Sequence, residues 1–556
     1  MTDADVIVIG SGAGGGAIAW GLATRGVKVL LLEAGPEYDP DRDYRVHLGT
    51  WERSRFPEKV STKDRQTYAP LQALESRWDR LRSWNAVTGQ FNRTGRRAAW
   101  GYLHVVGLGG STLHYTGEAQ RLHPASMKMK SRFGVAADWP IDYAGLDPWY
   151  AAAERAIGVA GPPGDPVRWR GAPFPLPPHP FSYASRKLAG GFQALGLGYA
   201  PNARAALSEP YDGRPPCNYC GNCARGCQVT DKGSADVTFI RKARATGRCD
   251  IRTEAQVVRI DAGGDDRVGA VHYVDSQGRA QTVRAQAVVV ACGAVETPRL
   301  LLNSAGSRAP QGLANESGEV GRNFMETLYW MSSGLHPEPL GSHRGLPADL
   351  ICWDYNAPDA IPGIVGGCRF GSGIAEADLI GPIAYATRAV GGWGKDHKRR
   401  MRESFGRALG VGAIGESLPN AGSFIDLDPL AKDGQGMPKA RIHSRLDETE
   451  LKRLSFMATK TREILKASGV PELFEEFGAY DAFNATHVFG TCRMGTDPAT
   501  SVVDPFLRSH RWRNLYIADG SVFPSSGGGE GPSLTISALA LRTAAHVAGA
   551  ARRGAL

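Results

Sequence analysis

The N-terminal glycine pattern restricts the fold of this chain more than any other feature. An apolar run at residues 6–9 is followed by Gly10-x-Gly12-x-x-Gly15 and a helix-forming stretch, and a second apolar run ends at Glu33. Glycines at this spacing let backbone N–H groups and a helix N-terminus approach a pyrophosphate, which a Cβ would keep away. An acidic residue about twenty residues further on can accept hydrogen bonds from a ribose diol. The pattern predicts a βαβ unit that binds a dinucleotide, and it does not distinguish FAD from NAD.

Composition indicates a large α/β protein with two intertwined domains. The chain has 556 residues, and 42% of them are hydrophobic, so it can bury a large core. This length is too great for one simple core. The net charge of +9 is spread along the chain, so no nucleic-acid partner is expected. No uncharged apolar stretch reaches the ~18 residues of a membrane helix, although residues 533–550 come closest.

The N-terminus lacks the basic start and the removable apolar segment of a secretory signal. We therefore expect a cytoplasmic location, or a periplasmic one if a partner subunit carries the folded chain across the membrane.

Later segments add a second glycine-dense stretch and a set of strands. Residues 105–117 contain Gly109, Gly110 and His114 and can lie close to a flat ligand. Alternating apolar residues and turns further along predict a small β-meander, then a strand, a glycine turn and a helix, and finally a last strand and a closing helix. These predicted segments are 251–261, 268–275, 282–291, 293–302, 514–520 and 532–548.

Taken together, these segments resemble the glucose–methanol–choline (GMC) flavin oxidoreductases. The matching stretches run from one end of the chain to the other: the N-terminal βαβ unit, 107–117, 293–302, 320–323, 487–495 and 514–548. The resemblance implies FAD, a discontinuous Rossmann-like FAD-binding domain, and a substrate domain built on an antiparallel sheet. The expected FAD-binding parts are 1–135, 211–325 and 481–556, and the expected substrate-domain parts are 136–210 and 326–480.

The resemblance also assigns catalytic and cofactor-binding residues. His487, in a Gly-Thr-Cys-Arg-Met-Gly context, is the base that removes the hydroxyl proton while hydride leaves for the flavin. Asp519 is expected near the ribityl chain and the pyrophosphate. The family usually has a second polar residue, Asn or His, where this chain has Gly531. Glu530 or Asn484 is expected to substitute from a neighbouring position, unless the substrate supplies its own contact.

The placement of His114 resembles that of the histidine which pyranose oxidases bond covalently to the flavin methyl group. The alternative is a histidine that only packs near the dimethylbenzene edge. Release of flavin on acid precipitation would exclude the covalent bond.

Four of the nine cysteines fall within eleven residues, at Cys217, Cys220, Cys223 and Cys227. This spacing is that of the bacterial ferredoxin run, in which thiolates from one loop converge on neighbouring irons. We expect an iron–sulfur cluster, 3Fe-4S with three ligands or 4Fe-4S with four. The alternatives are a zinc site, disulfides, or reduced thiols packed in a loop.

The expected function is FAD-dependent oxidation of a sugar or other alcohol, with hydride passing to flavin N5 and His487 as general base. The cluster would then pass electrons singly to an external, cytochrome-type acceptor, and a small partner subunit is expected. An O2-using alcohol oxidase is the enzymatic alternative. A sensor or scaffold that binds FAD and a cluster with a disabled site is the alternative from another class, and a non-redox lyase is a weaker one.

Overall fold

The computed structural model describes residues 2–46, 48–53, 59–60, 65–375 and 377–556. Its α-helices are α1 (Ala13–Ala23), α2 (Pro40–Asp43), α3 (Met129–Phe133), α4 (Tyr143–Ile157), α5 (Tyr183–Ala194), α6 (Arg241–Ala245), α7 (Gly293–Asn303), α8 (Pro382–Ala384), α9 (Gly394–Ser404), α10 (Glu448–Ala467) and α11 (Ser533–Arg552).

The strands are β1 (Ala4–Ile9), β2 (Val29–Leu32), β3 (Lys59–Val60), β4 (Gln66–Tyr68), β5 (Trp84–Asn85), β6 (Gly89–Gln90), β7 (Ala98–Tyr102), β8 (His104–Val105), β9 (Ala200–Pro201), β10 (Cys249–Arg252), β11 (Gln256–Ala262), β12 (Val268–Val274), β13 (Ala280–Val290), β14 (Met325–Glu326), β15 (Leu328–Leu335), β16 (Leu350–Cys352), β17 (Cys368–Ser372), β18 (Ala408–Gly415), β19 (Phe424–Lys432), β20 (Pro438–His443), β21 (Leu473–Gly478), β22 (Ala482–Ala485), β23 (Val488–Phe489) and β24 (Leu515–Ile517).

A seven-stranded sheet has the order β10-β2-β1-β13-β12-β11, with β24 also paired to β13. The pairs that join β10, β2, β1, β13 and β24 are parallel, and β11 and β12 extend the sheet antiparallel to β13. Strands β1 and β2 are buried on both faces, which explains their continuous apolar runs in the sequence. The predicted Rossmann-like α/β fold is confirmed.

The predicted strand at 251–261 is two strands in the structure. β10 pairs with β2 at one edge of the sheet, whereas β11 lies at the other end of the strand order. Between them Glu254 has a positive φ of 53°, and its N–H donates to the carbonyl of Gly35 at 2.9 Å. The local left-handed conformation breaks the strand, and alternation of apolar residues alone does not reveal it.

An eight-stranded sheet has the order β6-β5-β21-β15-β18-β17-β16-β9, and every pair in it is antiparallel. Helix α10 packs against β15 and β18 and covers one face of this sheet. A second hydrophobic core lies here, separate from the core of the parallel sheet. The predicted antiparallel substrate sheet is therefore also confirmed, while the exact domain boundaries stay a prediction.

Within the described residues one helix, α11, is long and apolar enough to cross a membrane by length and composition. In the fold, 67% of its apolar window is buried, and it packs against α1 and α4. Its apolar character is therefore accounted for by the core of the protein.

Candidate active site

A cavity of about 1300 Å³ lies between the two sheets. One end is lined by residues at the carboxyl ends of β1, β2 and β13 and by Asp519, which follows β24. The other end is lined by residues of β15, β17 and β18 from the antiparallel sheet. Ligands of open α/β sheets bind outside the carboxyl ends of the strands, so the first end is the expected nucleotide site.

The three motif glycines have different spatial roles. An added Cβ would lie 2.5 Å from the carbonyl oxygen of Ala291 at Gly10, and 1.9 Å from the carbonyl oxygen of Gly10 at Gly15. At Gly12 nothing lies within 4 Å of an added Cβ, and this residue lines the cavity. Gly10 and Gly15 therefore permit close backbone packing, whereas Gly12 leaves open space for a ligand.

Gly109 and Gly110 form a turn over the same glycine loop. Both have positive φ, at 112° and 56°, and an added Cβ at Gly110 would lie 2.9 Å from the Cα of Gly12. Gly109 N–H donates to the Ser11 hydroxyl at 2.9 Å. The two predicted glycine segments thus meet at one cradle, as expected.

Glu33 lies at the end of β2, lines the cavity and is buried. Its carboxylate accepts hydrogen bonds from the Ser11 hydroxyl at 2.5 Å, from Ser11 N–H at 3.1 Å and from Gly35 N–H at 2.9 Å. Burial raises its pKa, and these hydrogen bonds act in the opposite direction. The carboxylate is therefore fixed beside the glycine turn, where a ribose diol can reach it.

Asp519 connects three segments around the cavity. Its carboxylate accepts from Gly293 N–H at 2.9 Å, from the Thr297 hydroxyl at 2.6 Å and from Ser521 N–H at 2.8 Å. Gly293 and Thr297 belong to the first turns of α7, where unpaired N–H groups favour a negative charge.

His114 is buried and also lines the cavity. The structure brings together all the residues that the sequence assigned to the cofactor, and the covalent link to His114 stays a prediction.

His487 lies between β22 and β23 and lines the cavity. Its carbonyl accepts from Thr327 N–H at 3.1 Å, which fixes the backbone beside β14 and β15. Burial lowers the pKa of the imidazole to about 4, with Glu118 acting to raise it and Arg369 to lower it. The ring is therefore a neutral base at neutral pH.

Of the two substitutes expected for the missing side chain at Gly531, only Asn484 lines the cavity. Glu530 is 2% exposed, and its Oε1 accepts from Arg168 Nη2 at 2.8 Å, from His123 N–H at 3.0 Å and from Asn356 Nδ2 at 3.0 Å. Within the described chain Glu530 is absent from the lining of the cavity. These partners satisfy one oxygen of the buried carboxylate within the fold, and the catalytic role expected for Glu530 stays a prediction.

Glu118 and Arg369 are site residues that the sequence analysis missed. Both line the cavity, and Arg369 Nη2 donates to Glu118 Oε2 in a buried ion pair. Burial acts to raise the pKa of Glu118, but Arg369 and Arg204 outweigh it, so the pKa lies below the ordinary value. The proximity of Glu118 to the glycine-dense stretch was a usable signal, since it follows Gly117 directly. Nothing in the sequence marked Arg369.

The four clustered cysteines do not come together as a metal site. Where the chain is described, no group of three or more His, Cys, Asp or Glu side chains can hold a metal ion. The Cys227 thiol donates to the Asp231 carboxylate at 2.9 Å, and burial followed by Asp231 raises its pKa. Burial likewise raises the pKa of Cys223 to about 11. Thiols lose their protons when a metal binds, so it is the lack of a converging group among the described residues that leaves the expected iron–sulfur cluster unsupported.

Comparison with known proteins gives the family. Two family models described as GMC oxidoreductase match residues 201–328 and 419–540. A 2-methyl-1,2-propanediol dehydrogenase of Mycolicibacterium austroafricanum is 31% identical over 98% of this chain and 95% of the relative. The chain belongs to the GMC oxidoreductase family. It is accordingly an FAD-dependent oxidoreductase, which resolves the choice of dinucleotide that the N-terminal motif left open, and the glycine cradle, Glu33 and Asp519 fit that cofactor.

Other GMC oxidoreductases match over nearly the whole chain. The large subunit of fructose dehydrogenase from Gluconobacter japonicus is 30% identical over 97% of both chains. Paromamine 6'-oxidase of Streptomyces fradiae is 32% identical over 98% of this chain and 91% of the relative. Among solved structures, pyridoxine 4-oxidase from Mesorbium loti superposes with a TM-score of 0.62 at 20% identity, covering 98% of this chain and 99% of the other. The last comparison supports the fold alone.

The different roles of Gly12 and Gly15 give a matched pair of variants. Gly12→Val fills only the open space of the cradle, so the variant is expected to fold and to lose most of its FAD. Gly15→Ala forces a Cβ onto the Gly10 carbonyl, so it is expected to destabilise the fold by more than about 3 kcal/mol. Flavin absorbance of the purified proteins and their thermal unfolding measure the two effects. A Gly12→Val protein with a full complement of FAD would contradict the proposed cradle.

Proposed function

We propose that this chain oxidises a hydroxyl group of a neutral alcohol or sugar, with His487 as the base that accepts the hydroxyl proton. The observation that carries the proposal is the position of His487: a neutral imidazole lines the same cavity as the FAD cradle. Bound FAD supplies the two-electron acceptor for the hydride. The protein supplies the proton acceptor and the orientation of the hydroxyl group.

The lining near His487 supports a neutral substrate. Glu118 and Arg369 form an ion pair with each other, and their charges are therefore largely balanced. The nearby lining side chains from β15 and β22 are uncharged, among them Tyr329, Trp330 and Asn484. Amide and phenol groups form hydrogen bonds with hydroxyl groups without favouring a net charge. The names of two relatives, a diol dehydrogenase and a fructose dehydrogenase subunit, agree with such a substrate.

For the electron acceptor we propose an external acceptor rather than O2. Two of the relatives compared above are named dehydrogenases, and one of these is the large subunit of a larger assembly. That name also supports a partner subunit for this chain. An oxidase is the second candidate, because the relative at 32% identity is named an oxidase. Because the cysteine arrangement does not fit a cluster, no electron-transfer step is assigned to it.

The proposal is tested by anaerobic mixing of the FAD-loaded protein with neutral alcohols, diols and sugars while flavin absorbance is recorded. At least one compound should bleach the flavin. Reoxidation of the reduced protein should then be faster with a soluble artificial acceptor than in air. A panel that leaves the flavin oxidised throughout would favour a binding protein with a disabled site.

Loss of the base should slow this reduction. His487→Ala is expected to lower the rate of flavin reduction by ~10²–10⁴-fold, which is the typical contribution of a general base. His272→Ala is the matched control. His272 lies on β12, its Nε2 forms a hydrogen bond with Asp261 Oδ2 at 2.7 Å, and it does not line the cavity. Unchanged reduction in His487→Ala would show that the proton leaves by another route.

The pH dependence of the same rate follows from the low pKa of His487. The base acts in its neutral form, so the rate should be flat at neutral pH and should fall as the pH approaches about 4. The fall occurs below the pH expected for an ordinary histidine because burial disfavours the protonated ring and so lowers its pKa. Stopped-flow reduction between pH values of roughly 4 and 8 measures the profile. A rate that declines around the ordinary histidine pKa of about 6.5 would contradict the buried environment described for His487.

The cysteines provide a separate prediction. Purified protein should contain FAD without stoichiometric iron, and Cys223→Ser should leave flavin reduction unchanged, since the Cys223 thiol is protonated and packed in the core. Elemental analysis and the visible spectrum test this directly. Iron at a stoichiometric level, lost in Cys223→Ser, would restore the cluster that the spacing predicts.

A further inference from the structure

We propose that the Glu118–Arg369 ion pair is the second functional group of this site, and that Glu118 stabilises the positive charge that His487 acquires on taking the substrate's proton. This inference rests on the proposed function, since it assigns a role to the ion pair within that reaction. In the step concerned, the substrate O–H bond breaks and its proton forms an N–H bond on the imidazole. The O–H electron pair forms the second bond of the C=O product, and the C–H electron pair leaves as hydride, for which bound FAD would be the acceptor.

The space beside Gly531 is occupied by the segment that carries Glu118. An added Cβ at Gly531 would lie 3.1 Å from Gln120 Oε1 and 3.3 Å from the Cβ of Glu118. Gly531 N–H also donates to Gln120 Oε1 at 2.8 Å. A larger side chain at residue 531 would displace this segment. Gly531 therefore lacks the polar side chain usual in the family, and the segment that carries the Glu118 carboxylate lies beside it.

The charge of Glu118 is held in place by several donors. Arg369 Nη2 donates to one carboxylate oxygen, and Arg204 Nη1 lies 3.5 Å from the other. Asn202 Nδ2 donates a hydrogen bond at 3.3 Å to Glu118 Oε1, the oxygen that is also nearest to Arg204. A buried carboxylate without such partners would become protonated. Two guanidinium groups keep Glu118 ionised at 9% exposure, so that it can act on a neighbouring positive charge.

Arg369 also joins this pair to the glycine-rich turn. Its Nε donates to the carbonyl of Gly529 at 2.8 Å. Gly529 has a positive φ of 106°, and an added Cβ there would lie 2.9 Å from the Cγ of Arg369. Only glycine allows the turn to pack this closely on the arginine. The ion pair and the turn that ends at Gly531 therefore form one unit, which positions Glu118 in the cavity.

Glu118, Arg369 and His487 line the same cavity, where Glu118 acts to raise the pKa of the imidazole and Arg369 acts to lower it. The ring gains a proton during the reaction, and a nearby negative charge favours the protonated form while a positive one disfavours it. Removing either charge should therefore shift the titration of His487, and the two shifts should have opposite signs. A role for the pair in packing alone does not predict opposite signs.

The test is a titration of His487 in the FAD-loaded protein by NMR with histidine-selective 13C labelling, which needs no substrate. The His487→Gln variant assigns the resonance. Arg369→Gln should raise the titration midpoint by about one pH unit or more, and Glu118→Gln should lower it, so that the ring stays neutral below the wild-type midpoint of about 4. Glu118→Asp keeps the charge and should restore most of the wild-type behaviour.

Glu154→Gln is the control, because Glu154 forms a buried ion pair with Arg121 at 2.9 Å and does not line the cavity. Its loss should disturb packing to a similar degree and leave the titration of His487 unchanged. Equal midpoints in wild type, Glu118→Gln and Arg369→Gln would overturn the proposal. If Glu118→Gln fails to fold, Glu118→Ala takes its place and must lower the midpoint, because the upward shift in Arg369→Gln reports on the arginine alone.

Kinetics separate this inference from the function itself. With a reducing substrate in hand, Glu118→Gln should lower the rate of flavin reduction by about tenfold with Glu118→Asp close to wild type. If no compound reduces the flavin, the proposed function fails while the titration still reports on the ion pair. If His487→Ala is slow and the Glu118 variants are not, only the inference fails.

Discussion

The closest backbone approaches around the cofactor cradle lie where α1 meets the carboxyl ends of the parallel strands, and the site depends on them. An added Cβ would lie 1.7 Å from the carbonyl oxygen of Ala518 at Gly14, and clashes of the same kind occur at Gly10 and Gly15. Because no side chain separates these backbones, β1, β13 and β24 can end side by side at one edge of the cavity. The helix N-terminus and its free N–H groups then face the space that a pyrophosphate requires.

The second sheet closes the cavity and brings charge into it. Strands β15, β17 and β18 are mostly apolar where they pack on α10, but Arg369 of β17 lines the cavity. Burying an ion pair rarely stabilises a fold, because desolvation offsets the attraction between the charges. An arginine and a glutamate that both line a cavity beside a histidine are better explained by what they do to that histidine.

Local patterns predicted the parts of the site that lie within short stretches of chain. The glycine turn, Glu33 and Gly110 each follow a strand or a turn, so sequence spacing indicated their place at one edge of the sheet, whereas Asp519 was expected there from the family resemblance. The partners of Glu530 and Glu118 were not predictable, because they come from positions 84 to 407 residues away. The cysteine run shows the converse: its spacing is that of a cluster, but its side chains do not form a group of metal ligands among the described residues. Sequence spacing indicates which residues are near each other along the chain, but it does not show which way their side chains point.

The low proton affinity of His487 poses a chemical difficulty that the neighbouring charges resolve. General-base catalysis is most effective when the pKa of the base lies near the working pH, and a pKa of about 4 is well below it. The same burial keeps the ring neutral before reaction and makes its protonated form costly afterwards. A fixed, ionised carboxylate lowers that cost only while the proton is on the ring, so its effect is larger in the transition state than in the ground state. Arg369 keeps the carboxylate ionised and limits its effect on the resting base. Because Glu118 already carries its charge and its hydrogen bonds before the reaction, no reorganisation is needed at the moment of proton transfer.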